Sequence, residues 1–335
     1  MSNKSRVLIT GADGFIGSHL TEKLLKEGFE VKAFCMYNSN SSLGWLDSID
    51  KSSLRGIDII LGDIRDPSCV FEAVKGCNQV FHLAALISIP YSYKAPSSYI
   101  DTNIHGTLNV VQAARDLEVD RVIHTSTSET YGTAQYVPID ENHPQVGQSP
   151  YAASKIGADQ IALSFYRSFD VPVSVIRPFN TYGPRQSTRA VIPTIIAQIA
   201  SRQKQLKLGS LTPTRDFNYV DDTCEAFLRI ANCDAAIGKV VNACSNFEIS
   251  IAETVKLISE VMDSDISLII DQNRLRPENS EVNRLFGDNT LLKKLTGWSP
   301  AYSGIDGFRK GIRSTVDWFT NPTNLMKYRP QEYSL

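Results

Sequence analysis

Two groups of residues in this 335-residue sequence are of a type and spacing that could do chemistry. In Tyr151-Ala152-Ala153-Ser154-Lys155 a phenol and an amine stand four residues apart, so a helix would carry both on one face. A phenol with a pKa of about 10 is a poor base near neutral pH. A neighbouring ammonium stabilises the phenolate and moves the pair toward taking a proton from a hydroxyl. In Gly11-Ala12-Asp13-Gly14-Phe15-Ile16-Gly17 three glycines follow the apolar run Val7-Leu8-Ile9 with GxxGxxG spacing. Glycines there permit a tight turn and a close approach of the backbone to a pyrophosphate, whose charge rests on free N–H groups at a helix start. A dinucleotide is the implied cofactor.

These groups need elements to position them. Short β-rich runs at 6–10, 30–34, 57–61, 79–83, 121–125 and 173–176 alternate with amphipathic stretches such as 18–27 and 106–117. That rhythm predicts an α/β fold with a doubly wound parallel sheet. After Arg177-Pro178 the pattern changes to loops rich in Pro, Thr and Arg, with helices near 193–202 and 251–262, which predicts a second, smaller and mixed α/β substrate domain. A late apolar run at 239–243 fits the first sheet, so the expected division is 1–177, rejoined by about 217–245, against 178–335.

An NAD site usually has a carboxylate at the end of the second strand, for the ribose hydroxyl. Cys35 takes that place, and Tyr37, Asn38, Ser39 and Asn40 after it could donate to a ribose phosphate, which leaves NAD and NADP both open. A net charge of -2, from 34 basic and 36 acidic residues spread along the chain, argues against a nucleic-acid or membrane surface. The polar start and the lack of an apolar run near the roughly 20 residues of a membrane span predict a cytoplasmic protein. Six cysteines without a CxxC pair read as thiols, and five scattered histidines predict no metal.

Several further motifs occur in order along nearly the whole chain: Asp101-Thr102-Asn103, Ser126-Thr127-Ser128-Glu129-Thr130-Tyr131-Gly132 after a strand, Arg177-Pro178-Phe179-Asn180-Thr181-Tyr182-Gly183-Pro184-Arg185-Gln186, Arg215-Asp216-Phe217-Asn218-Tyr219-Val220-Asp221-Asp222 and Arg276-Pro277. With the glycine loop and the Tyr151/Lys155 pair, they resemble the extended short-chain dehydrogenase/reductases, the NAD-dependent epimerase/dehydratase family. The resemblance implies a Rossmann-type cofactor domain. It places Asp63 and Ile64 at the adenine, Leu83, Ala84 and Ala85 at the strand end beneath the cofactor, and Asn103 on the cofactor side. Thr127 is then the residue that hydrogen-bonds the sugar hydroxyl deprotonated by Tyr151. Ser88, Tyr91, Asn180, Arg185, Arg215 and Arg276 are the implied substrate residues, the arginines offering planar forks of donors to phosphate oxygens.

Family members that oxidise carbon 4 of a nucleotide-linked sugar then diverge. Epimerases return the hydride to carbon 4, whereas dehydratases remove the carbon 5 proton, expel the carbon 6 hydroxyl and return the hydride to carbon 6. Hexose 4,6-dehydratases carry a Thr-Asp-Glu triplet for that work, and this chain has Thr127-Ser128-Glu129. A serine hydroxyl is too weak an acid to replace the Asp unaided, which leaves Glu129 to take the carbon 5 proton and hand it to the departing oxygen. The triplet, with Leu86-Ile87-Ser88-Ile89-Pro90-Tyr91-Ser92-Tyr93, resembles the bacterial UDP-N-acetylglucosamine 4,6-dehydratases that open the routes to legionaminic and related nonulosonic acids. A homodimer packed through the helices near 106–117 and 151–169 is implied as well. A UDP-hexose 4-epimerase and a non-catalytic dinucleotide-binding sensor are the alternatives, the second because fold alone does not establish function.

Overall fold

The computed structural model describes residues 5–328. Its centre is a parallel seven-stranded sheet. In chain order the first six strands are β1 (Arg6–Thr10), β2 (Glu30–Met36), β3 (Asp58–Gly62), β4 (Gln79–His82), β5 (Arg121–Thr125) and β6 (Val173–Pro178). The spatial order is β3-β2-β1-β4-β5-β6, and Val240–Ala243 adds the seventh strand beside β6.

The sheet is buried on both faces, which is why its strands read as apolar runs and not as alternating ones. Val7 and Ile9 pack into one helix layer while Leu8, between them, packs into the other, and all three are fully buried. The fold is therefore the doubly wound α/β arrangement, with a smaller mixed α/β part after β6. There, among the described residues, strands occur only as pairs: 181–182 with 218–219, 205–208 with 267–270, and 214–216 with 248–250.

Strand order reverses between β1 and β4, and the crevice at such a switch point is where open α/β sheets bind ligands. Thr10 ties its two sides together. Its hydroxyl accepts from the N–H groups of Leu83 and Ala84, both at 3.1 Å, and lies 2.8 Å from His82 Nδ1. No helix among the described residues is long and apolar enough to cross a membrane.

Candidate active site

The glycine loop is tight for visible reasons. Gly11 has φ +71°, and a Cβ there would fall 2.9 Å from the Ala84 backbone. A Cβ on Gly17 would lie 2.1 Å from the Gly11 carbonyl oxygen, so only glycine lets the helix start this close to β1. The helix α1 (Phe15–Lys26) begins three residues earlier than the sequence pattern predicts, with Gly14 as its N-cap and no side-chain cap. Its first N–H groups remain available to an anion. The Asp13 carboxylate lies at the end of β2, where it accepts from Met36 N at 3.3 Å, and burial pushes its pKa up. Phe15 and Ile16 pack into the core beneath.

The second-strand region differs from the expectation of several free donors. Asn38 spends its amide on the Met36 and Ser42 carbonyls and its oxygen on the Asn40 and Ser42 N–H groups. Tyr37 and Ser39 are exposed. At the adenine position, Asp63 is held by Arg65, whose guanidinium keeps its carboxyl below the usual range. Ile64 is buried against Gly106, and its carbonyl accepts from Asn109. Leu83, Ala84 and Ala85 are half-buried at the end of β4.

Asn103 is placed otherwise than expected. It is fully buried in a π-helical turn (Ile100–His105), and its amide bonds both the N–H and the carbonyl of Leu86 and the Ser154 hydroxyl, at 2.8 to 3.0 Å. It fixes the loop after β4 to the catalytic helix and has no donor left for a cofactor.

That helix, Pro150–Phe169, starts from the cap Ser149, with Pro150 in its first turn. Tyr151, Lys155 and Asp159 recur at four-residue spacing and are all buried. Lys155 Nζ donates to the Thr125 carbonyl at 2.6 Å. Burial lowers the lysine to a pKa of about 8, against the opposing charge of Asp159. Burial raises the Tyr151 phenol above its ordinary value, while a hydrogen bond with Thr127 pulls it back and the Glu129 charge pushes it further up. The sequence predicts a lysine that lowers the phenol; burial is the largest influence on Tyr151 and acts in the opposite direction.

Thr127 caps the 3-10 turn Ser128–Tyr131 by accepting from Glu129 N at 3.2 Å. Ser128 and Glu129 are thereby buried beside Tyr151, Glu129 being 8% exposed. The triplet is thus one preorganised turn at the end of β5, and its Thr127 and Glu129 both act on the phenol.

Sequence reasoning missed the polar layer beneath. Asp159, fully buried, accepts from His124 Nε2 (3.1 Å), Ser126 Oγ (2.7 Å) and Arg177 Nη2 (3.0 Å). Burial pushes its pKa up, but His124, Arg177 and Lys155 together hold it below the ordinary value. Arg177 also donates to Tyr131, which donates to Asn242. The signal was present, since Asp159 continues the four-residue spacing of Tyr151 and Lys155.

On the substrate side the structure brings some expected residues together and not others. Tyr91 meets Tyr99 in a tilted contact and Tyr99 meets Tyr151 edge-on, with centroids 6.2 Å apart at each step, and Ser88 receives the Tyr99 hydroxyl on its carbonyl. Asn180 Oδ1 is buried and has no hydrogen-bond partner. Arg215 and Arg276 converge on Glu281. Arg215 is almost wholly buried, which lowers its pKa, and Glu129 is the strongest charge opposing that shift. Arg185 does not join them. It is turned onto α1, where Nη1 meets Glu22 at 2.6 Å and Ser18 at 3.3 Å, while His19 meets the Pro184 carbonyl at 3.0 Å. Arg185 braces the cofactor helix.

Comparison with known proteins agrees with this geometry. The family model described as GDP-mannose 4,6 dehydratase matches residues 8–313. The human dTDP-D-glucose 4,6-dehydratase is 31% identical over 324 residues, covering 94% of this chain and 89% of that protein. The dTDP-glucose 4,6-dehydratase DesIV of Streptomyces venezuelae, solved as a double mutant with NAD and DAU bound, superimposes with a TM-score of 0.84 at 26% identity, covering 98% of this chain and all of the other. The UDP-N-acetylglucosamine 4-epimerase of Methanobrevibacter ruminantium, solved with UDP-N-acetylmuramic acid, gives the same score at 30% identity, covering 94% and 98%. Dehydratases and epimerases are about equally similar to the chain.

Proposed function

The chain belongs to the NAD-dependent epimerase/dehydratase family, the sugar-nucleotide enzymes whose matching model is described as GDP-mannose 4,6 dehydratase, and from that premise we propose that it is a 4,6-dehydratase acting on UDP-N-acetylglucosamine. The observation that carries this reading is the burial of Glu129 on the same rigid turn as Thr127, against Tyr151. Epimerisation has no use for a second base there.

The glycine cradle, the open start of α1 and the tied ends of β1 and β4 fit NAD or NADP. The cofactor would supply a hydride acceptor at carbon 4, a hydride donor at carbon 6, and the positive charge of an oxidised nicotinamide. Tyr151 takes the proton of the carbon 4 hydroxyl, which Thr127 holds in place, and Lys155 stabilises the phenolate. The resulting 4-ketone acidifies carbon 5. Glu129 removes that proton and delivers it to the carbon 6 oxygen, which leaves as water, with Ser128 adjoining as a hydrogen-bonding hydroxyl. Arg215 and Arg276 receive the diphosphate, and the unpartnered Asn180 oxygen accepts from a hydroxyl or N–H of the nucleotide; Ser88 and Tyr91 line the sugar end. Hydride return to carbon 6 requires a proton at carbon 5, and the one Tyr151 took from the carbon 4 hydroxyl balances it, so both Tyr151 and the cofactor would be restored in each cycle.

The same reading divides the chain at residues 1–177, with about 217–245, against 178–335. It makes the enzyme a cytoplasmic homodimer, supported by exposed Ile100, Leu108 and Phe169 on or next to the two helices named for that contact. The epimerase alternative is favoured by the 30% identical epimerase structure. Mass spectrometry of UDP-N-acetylglucosamine incubated with the holoenzyme and no reductant separates the two. Loss of one water is expected, and an unchanged mass with inverted carbon 4 overturns the dehydratase.

A further inference from the structure

Arg215 and Arg276 reach for one atom. Arg215 Nη2 lies 3.3 Å and Arg276 Nη1 3.5 Å from Glu281 Oε1, with the three side chains 8%, 26% and 19% exposed. Both contacts are longer than the ~2.7–2.9 Å of strong charge-assisted bonds. The segment carrying Glu281 is pinned: Gln148 donates to the Asn279 and Glu281 carbonyls (3.2 and 3.3 Å), and Ser280 Oγ donates to the Gln148 carbonyl and lies 2.6 Å from the Tyr93 hydroxyl. The backbone is fixed, so the carboxylate is the part free to change partners.

From this arrangement we infer that Glu281 is a specificity-determining residue, an internal anion seated on the arginine pair that the phosphate groups of a ligand must displace. The inference rests on the reading that Arg215 and Arg276 receive the nucleotide diphosphate. Arg215 Nη1 also donates to the Thr214 carbonyl at 2.9 Å, but as charges the two guanidinium groups share one carboxylate oxygen, which leaves both without a short charged partner. Two linked phosphate groups can take one arginine each and release Glu281 entirely. A single phosphate satisfies one arginine and leaves Glu281 on the other, at like-charge cost in a site too buried for salt to screen fully. Glu281 therefore excludes nucleoside monophosphates more strongly than diphosphates.

The test is Glu281→Gln, which keeps the shape and removes the charge, with the dissociation constants of UMP and UDP measured calorimetrically on the holoenzyme. We expect UMP to bind about tenfold more tightly, one charge-assisted hydrogen bond's worth, and UDP to gain less, so that the preference for the diphosphate shrinks. Equal changes for both nucleotides, no change, or weakening of both overturn the inference. Arg215→Ala and Arg276→Ala separate the two levels. If neither weakens UDP, the diphosphate reading itself falls. If both weaken UDP while Glu281→Gln leaves the preference intact, only the role of Glu281 falls.

Discussion

The polar layer beneath the catalytic helix and the arginine pair on the substrate side are both built from buried charges, yet they are bonded in opposite ways. Asp159 accepts three partners at 2.7 to 3.1 Å, one from β5, one from the turn after it and one from β6, and is fully buried. Arg215 and Arg276 share a single oxygen at 3.3 and 3.5 Å. A charge that is fully paired is costly to disturb, whereas a pair that is under-bonded can exchange partners cheaply. The first region holds Tyr151 and Lys155 in register for chemistry; the second is arranged to let a ligand in. The difference between fixed and exchangeable charge follows from the length of the bonds between opposite charges, since the one short bond of Arg215 goes to the neutral Thr214 carbonyl at 2.9 Å.

The largest expected effect breaks the fixed side. Asp159→Ala leaves Arg177 and Lys155 without their buried counter-charge and should destabilise the protein by about 3–5 kcal/mol, read as a lowered denaturation midpoint. If stability is unchanged, the layer is not the fixed element described. A smaller effect sharpens the contrast through pH. Lys155 has a pKa lowered to about 8, so its ammonium is present below that value and is lost as pH rises through it. Turnover should fall on the alkaline side with a midpoint near 8, while UDP affinity, which depends on arginines, stays level across the same range. A parallel fall of both would mean that the two regions are not separate.

Much of this was legible in the sequence because it is local. The glycine loop, the Tyr151/Lys155 spacing and the apolar strands depend on neighbours within a few residues, and β1 and β5 fall where the pattern puts them. What was not legible depends on long-range pairing. Arg185 has the residue type and motif of a phosphate ligand but meets Glu22, 163 residues away, because the turn at 183–185 folds onto α1. Asn103 belongs to a motif on the cofactor side, yet Leu86 and Ser154 exhaust its amide. Glu281 carries no motif at all and became visible only once two arginines from distant segments met on it.

The most direct test of the account is Glu129→Gln in the holoenzyme, supplied with UDP-N-acetylglucosamine while the near-ultraviolet band of reduced nicotinamide and the mass of the sugar nucleotide are followed together. The account predicts that the reduced cofactor accumulates and no water is lost, because oxidation at carbon 4 proceeds and elimination does not. Water loss at the unaltered rate would show that Glu129 is not the base and would contradict the mechanism at its centre.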